Sequence, residues 1–298
     1  MSTNEPRLSV SLTFDFDAMS VWIGSHASNN PAQISRGEFG AVAVPRILSL
    51  LEKHDITTTF FVPGHTALAY PGLIRDIRDR GHELGHHGWV HENPALFDLD
   101  GEREVFRRGL QALEDVAGVQ PRGYRSPSVD FSPNTIDILL ENGIAYDSSC
   151  SGSDFTPYYL RQGDKWPNDA PYVFGRSIDI VEVPFYWGLS DFAHFEFVSG
   201  FTVAQNTTSA VREIWQGEFD YAYENCPGGM YTVALHPQSI GRGHRLVMLE
   251  ELIEHMAAQE GVVFEPMGVY ADRWRAANPL EQWLATNPIH AAPAESRV

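Results

Sequence analysis

Two aspartates and four histidines stand out by type and spacing. Asp15 and Asp17 close a run in which Leu8, Val10, Leu12, Phe14 and Phe16 alternate with Ser9, Ser11, Thr13, Asp15 and Asp17. A period of two is that of a β-strand, so both carboxylates leave one face at its C-terminal end. Neighbouring carboxylates repel and need a metal ion, an arginine or a shared proton. The second cluster is Gly81-His82-Glu83-Leu84-Gly85-His86-His87-Gly88-Trp89-Val90-His91. His87 and His91 are spaced so that one helical turn or a tight loop can aim both imidazoles at one ion. His82 and His86 fall off that spacing and read as structural, bonding the strand end or the layer behind the ligands.

Two neutral imidazoles and one carboxylate form a facial ligand set with positions open to water and substrate. Such an ion acts as a Lewis acid on water and on a carbonyl. One aspartate completes that set, and the other is free to take a proton from the water. Arg125, in Gly123-Tyr124-Arg125-Ser126-Pro127, ends another strand and can orient that base. An amine leaves poorly unless protonated, so amide hydrolysis also needs an acid. His236 ends a late strand just before Pro237 and is a candidate, with Asp147 or Asp191 to orient it. Each feature has a plainer alternative: Asp-x-Asp can be a turn or cap device, and a lone arginine or histidine can be structural. Zinc suits an N₂O set best, and cobalt, nickel and iron are compatible.

These groups need a scaffold that brings several strand ends together. Further strand patterns lie near Ile56–Val62, Glu83–His87, Gly123–Arg125, Ile144–Asp147, Ile180–Val183, Tyr231–His236 and Val262–Phe264. Helical patterns fall between them: Arg75–Arg80 before Gly81, Asn134–Asn142 after Ser132-Pro133, and Arg245–Glu260 with Leu246, Leu249, Leu252 and Ile253 on one face. The alternation, without a Ser/Gly-rich linker or internal repeat, predicts a single α/β barrel domain over 1–298, with its core at about 8–275. A barrel of that kind carries its active site at the C-terminal strand ends. Two segments, Ala18–Ala41 and Cys150–Ile178, break the alternation and are expected to be long loops at the rim of the site. In the second half Tyr158, Tyr159, Trp166 and Trp187 could stack on a sugar or flat imide ring, pack in the core, or face another subunit. The tail 288–298 is expected to be loose.

The bulk properties narrow the partners. Of 298 residues 43% are apolar, ample for a large core, and 21 basic against 39 acidic side chains give a net charge of −18. Such a surface repels nucleic acid and anionic membranes. No run approaches the ~20 apolar residues of a membrane span, and no signal pattern opens the chain. Cys150 and Cys226 form no disulfide framework or metal spacing, which fits a reducing compartment. A cytoplasmic location is the expectation.

Asp-x-Asp ending strand one, a histidine pair after a later strand, an arginine before proline and a histidine ending a late strand, in that order, resemble the polysaccharide deacetylases of carbohydrate esterase family 4. The resemblance spans roughly residues 8–275. It is nearest a cytosolic branch that includes a bacterial peptidoglycan deacetylase, on Val62-Pro63-Gly64-His65, Gly81-His82-Glu83-Leu84-Gly85, His91-Glu92-Asn93-Pro94 and Asp154-Phe155-Thr156-Pro157-Tyr158-Tyr159. The same branch holds allantoinase-like proteins and cyclic imide hydrolases, whose pattern is similar to His236-Pro237, Gly241-Arg242 and His244-Arg245. The resemblance implies a distorted, incompletely closed (β/α) barrel. It implies Asp15 as general base, Asp17, His87 and His91 as metal ligands, Arg125 as the residue positioning the base, and His236 as acid. It further implies a metal-dependent hydrolase of non-peptide carbon–nitrogen bonds, acting on an N-acetylated amino sugar or a small cyclic imide or ureide, and a homo-oligomer as in similar cytosolic members. The chain departs from the family pattern in spreading the usual adjacent Asp-Asp to Asp15-Phe16-Asp17. Gly88 also stands where many members have Ser or Thr, and Ala234 where leucine is commoner. A catalytically silent barrel that binds metal or ligand as a regulatory or scaffold module is the alternative; the complete set of base, ligands, arginine and acid speaks against it.

Overall fold

The computed structural model describes residues 5–198 and 205–287. Its strands are β1 (Leu8–Asp15), β2 (Thr59–Val62), β3 (Glu83–His86), β4 (Gly123–Tyr124), β5 (Tyr146–Asp147), β6 (Tyr158–Gln162), β7 (Arg176–Glu182), β8 (Gly229–Leu235) and β9 (Val262–Phe264). They form one sheet in the order β6-β7-β5-β4-β3-β2-β1-β8, with β9 against the start of β1. Every pairing is parallel except β6 with β7. The end strands β6 and β8 do not pair with each other among the described residues, so the sheet curls into a barrel without closing. One parallel bridge, Ser190 with Ala234, runs along the outer edge of β8. The expected strands all occur, and the α/β open-barrel architecture is as anticipated.

β1 pairs with β2, β8 and β9 and is buried along its whole length. Leu8, Val10, Leu12 and Phe14 point outward into the main core with Ile47, Leu48, Leu51, Val233 and Leu235. The alternate residues face a polar interior: Arg273 donates to Ser9 Oγ at 2.8 Å, and Thr13 Oγ1 donates to the Val233 carbonyl at 2.9 Å. This polar stripe leads up β1 to Asp15.

The expected helices are found at Pro71–Asp79, Thr135–Glu141 and Gly243–Ala257. The expectation of a long loop over Ala18–Ala41 is overturned. A π-helical turn occupies Val21–Ser25, and a 23-residue helix runs Pro31–Lys53. Asn30 caps it by accepting from the Ala32 N–H at 3.0 Å, with Pro31 at the first helical position. Gly37 and Pro45 look like helix breakers in sequence. The first is there because a Cβ would come within 2.2 Å of the Ala18 carbonyl oxygen as the helix crosses the end of β1. The loop expected over Cys150–Ile178 is also corrected in part, since it contains β6, which folds back on β7 as an antiparallel hairpin. The tail 288–298 lies outside the described residues.

Candidate active site

The first group of candidates converges just past the ends of β1 and β3. Phe16 N–H bonds the Phe61 carbonyl at 2.8 Å and carries the ladder one residue beyond β1, which directs Asp17 inward. After β3 the chain turns sharply at Gly88 (φ +73°) and His91 (φ +60°). His87 and His91 are therefore paired by a tight loop, not a helical turn. Glu92 holds that loop, its carboxylate accepting from the Trp89 and Val90 N–H groups at 2.9 and 2.6 Å. His87 Nε2 lies 3.4 Å and His91 Nε2 3.7 Å from Asp17 Oδ1, and all three side chains are buried. Their ligand atoms all lie within 4.8 Å of one another.

This donor set fits a divalent ion. Asp17 Oδ1 and His87 Nε2 are buried with no hydrogen-bond partner, a costly arrangement unless something sits between them. His87 Nδ1 lies 2.6 Å from the Arg125 carbonyl, which can only accept, so the ring carries its hydrogen there and turns the Nε2 lone pair toward Asp17. Burial pushes His87 down to about 4, against the pull of Asp15. Burial and the neighbouring His87 and His236 hold His91 well below the ordinary histidine range. Both are thus neutral, as metal ligands must be. Burial, helped by Asp15 and opposed by His236, raises Asp17 to about 8. His86 and His82 are structural, as read from the sequence. His86 Nε2 meets the Phe106 carbonyl at 2.9 Å, and His82 Nδ1 accepts from the Thr58 N–H at 3.2 Å.

The second group lies beside the first. Arg125 is fully buried. Its Nη1 donates to Asp15 Oδ1 and Thr13 Oγ1, both at 2.7 Å. Its Nε and Nη2 are anchored by the carbonyl and hydroxyl of Ser148, each at 3.0 Å. Burial works against the Asp15 carboxylate, but Arg125, with His87 and His236, outweighs it and holds Asp15 below its usual range. With Oδ1 taken by Arg125, Asp15 Oδ2 faces His236 Nε2 at 4.0 Å.

Asp191, not Asp147, orients His236. Its Oδ1 accepts from His236 Nδ1 at 2.6 Å, and both its oxygens accept from the His236 backbone N–H at 3.0 Å. The bridge between Ser190 and Ala234 brings it there, by laying residue 191 along the open edge of β8. Asp147 is turned away and engages the N–H and hydroxyl of Ser149 at 2.8 and 2.9 Å. Burial opposes a charged His236, yet Asp191, with Asp17 and Asp15, lifts it to about 9. These carboxylates favour its imidazolium form, and its Nε2 lies 4.0 Å from Asp15 Oδ2 and 3.7 Å from Asp17 Oδ2.

Asp15, Asp17, His87, His91 and His236 line a cavity of about 920 Å³, with Arg125 and Asp191 buried behind them. Its upper walls carry Phe131, Phe185, Trp187 and Phe192 with the hydroxyls of Ser126, Ser128, Ser149 and Ser151. Of the four aromatics singled out in the sequence, Trp187 alone reaches it, 40% exposed at the rim. Tyr159 is core, Tyr158 packs beside it, and Trp166 stands 61% exposed on the β6–β7 hairpin. Arg242 and Arg245, from the Gly-Arg and His-Arg pairs, stack on Phe39 and Phe195 and are not among the lining residues. Gln238, whose amide reaches Asp17 Oδ2 at 3.5 Å, and Ser25 are also at the site, and neither belongs to a spacing that signals one in the sequence.

The polysaccharide deacetylase family model matches residues 3–146. The peptidoglycan deacetylase of Helicobacter pylori is 33% identical over 286 residues, covering 90% of this chain and 96% of that protein. The crystal structure of a Mycobacterium smegmatis protein assigned to the polysaccharide deacetylases superposes with a TM-score of 0.82 at 34% identity over 93% of both chains. Puue allantoinase shares the fold, with a TM-score of 0.76 at 23% identity over 93% of both chains. A relative matched at one-third identity along almost its whole length, together with the same open barrel, makes this chain a member of the polysaccharide deacetylase family of hydrolases.

Proposed function

We propose that this amide-bond hydrolase removes the acyl group from an N-acetylated amino sugar, as a free unit or in a peptidoglycan fragment. In this reading Asp15 is the base, His236 the acid and Arg125 the residue positioning the base, while Asp17, His87 and His91 hold a divalent ion, zinc in the first instance. The observation that carries it is the convergence of a base oxygen and an acid N–H, 4.0 Å apart, beside the three buried ligand atoms. An ion held there supplies Lewis acidity to a water and to the acyl oxygen. Asp15 Oδ2 takes the attacking water's proton, and Arg125 keeps the carboxylate ionised and pointed. His236 delivers its Nε2 proton to the nitrogen as the C–N bond breaks, so the amine leaves neutral and the acyl group leaves as carboxylic acid, which then ionises to solvent. Asp191 holds the ring and stabilises its cation.

The cavity supports an amino sugar over a small imide. About 920 Å³ is near the upper end of the ~300–1,000 Å³ of small-ligand sites. Its aromatic and serine walls suit the apolar faces and hydroxyl edges of sugar rings. The cyclic imide or ureide reading rests on the Gly241-Arg242 and His244-Arg245 pairs, whose arginines stack on Phe39 and Phe195 and do not line the cavity. The test is a substrate panel on metal-reconstituted protein: N-acetylglucosamine oligomers and muropeptides against hydantoins, succinimides and allantoin. Turnover of the acetylated sugars is expected, and turnover confined to the imides or ureides would overturn the substrate assignment.

A further inference from the structure

His91 is the ligand whose geometry regular structure does least to fix. It lies at φ +60°, an uncommon conformation for a residue other than glycine, in a loop past the end of β3. The residue after the first ligand cannot help it. Gly88 has no side chain, its φ is +73°, and a Cβ there would fall 2.8 Å from Pro127 Cγ. Any hydroxyl serving this loop must arrive from elsewhere in the chain.

The π-helical turn Val21–Ser25 supplies one. Gly24 presses it against the ligand loop so closely that a Cβ would lie 1.9 Å from the Val90 carbonyl oxygen and 2.9 Å from the His91 carbonyl carbon. That contact seats Ser25 Oγ 2.6 Å from His91 Nδ1 and 2.7 Å from the His91 carbonyl oxygen. The two contacts together fix the hydrogens. A carbonyl oxygen only accepts, so the hydroxyl hydrogen goes to it, and Oγ must then accept a hydrogen from Nδ1. A neutral imidazole with its hydrogen on Nδ1 bears its lone pair on Nε2, the atom 3.7 Å from Asp17 Oδ1. At His87 the Arg125 carbonyl plays the same part from the opposite side.

We infer that Ser25 is a positioning residue for the metal centre. Delivered by a separate element docked through Gly24, it locks His91 as the Nδ1–H tautomer, aims Nε2 at the ion site and so sets the metal affinity. The inference rests on Asp17, His87 and His91 being the ligands.

The experiment is the cobalt(II) dissociation constant of the full chain by chelator competition, with the visible spectrum of the bound ion, for wild type, Ser25→Ala, Ser25→Thr and His91→Ala. Ser25→Ala is expected to weaken binding by ~10–100-fold, as for other groups that orient a ligating histidine, and to shift the cobalt spectrum. Ser25→Thr keeps the hydroxyl and should restore most of the affinity. Equal melting temperatures of the metal-free wild type and Ser25→Ala would show that orientation, not folding, is lost. Nitrogen NMR of the unsubstituted metal-free protein gives an independent reading and should find the His91 proton on Nδ1. Wild-type cobalt affinity in Ser25→Ala, or a His91 proton on Nε2, overturns the inference. Wild-type affinity in His91→Ala overturns the ligand assignment itself, and the role of Ser25 with it.

Discussion

Replacing His236 by glutamine is expected to cut turnover of an amide substrate by ~10²–10⁴-fold, the usual worth of general acid–base catalysis, with bound metal unchanged. In the proposed reaction His236 is the acid; Asp191, with Asp17 and Asp15, overcomes the burial that opposes its charge and lifts it to about 9. The sign follows. The acid must be protonated, so the rate is sustained through neutrality and falls as pH rises through about 9. The base must be ionised, and Asp15 is held below the usual carboxylate range, so the acid limb lies well below neutrality. Glutamine cannot donate an acidic proton and should abolish the alkaline limb. An activated ester, whose alcohol departs without help, should lose far less than an amide. Steady-state rates on both substrates across pH, with metal analysis, check this. Equal losses on amide and ester would remove His236 from the acid's role.

Asp15→Asn should cost a comparable ~10²–10⁴-fold in turnover while leaving the ion bound. The amide oxygen can still accept from Arg125 Nη1 at the 2.7 Å contact, so the shape persists, but it cannot take a proton from water. The buried guanidinium loses its counter-charge, and the variant should be less stable for that reason. Turnover, metal content and thermal melting measured on one preparation separate these effects. Loss of the ion with Asp15→Asn would mean that the base and ligand roles of Asp15 and Asp17 are exchanged.

Much of this arrangement was legible in the sequence because β-strands advertise themselves by period. The alternation from Leu8 to Phe16 located β1 and put Asp15 and Asp17 on its inner face, where the sheet also brings His87, Arg125 and His236. What the sequence hid depends on contacts between distant segments. The choice of Asp191 over Asp147 follows from one bridge along the open edge of β8, which no local pattern encodes. The helix Pro31–Lys53 was obscured by Gly37, Gly40 and Pro45, residues that disfavour a helix interior; the two glycines allow a close crossing of the end of β1, and Pro45 lies on the exposed face. Ser25 is invisible as a lone serine until its turn is seen docked on the ligand loop. The Gly-Arg and His-Arg pairs mislead in the opposite way: they look chemical by spacing, yet their arginines stack on Phe39 and Phe195 and do not line the cavity.

If Asp17, His87 and His91 hold the ion on which hydrolysis depends, metal content must follow those side chains. Wild type and His87→Ala/His91→Ala protein would be saturated with zinc, freed of loose ion by gel filtration and assayed by elemental analysis. About one ion per chain is expected in the wild type and none in the variant, with folding intact by circular dichroism. Stoichiometric zinc retained by a folded double variant would contradict it.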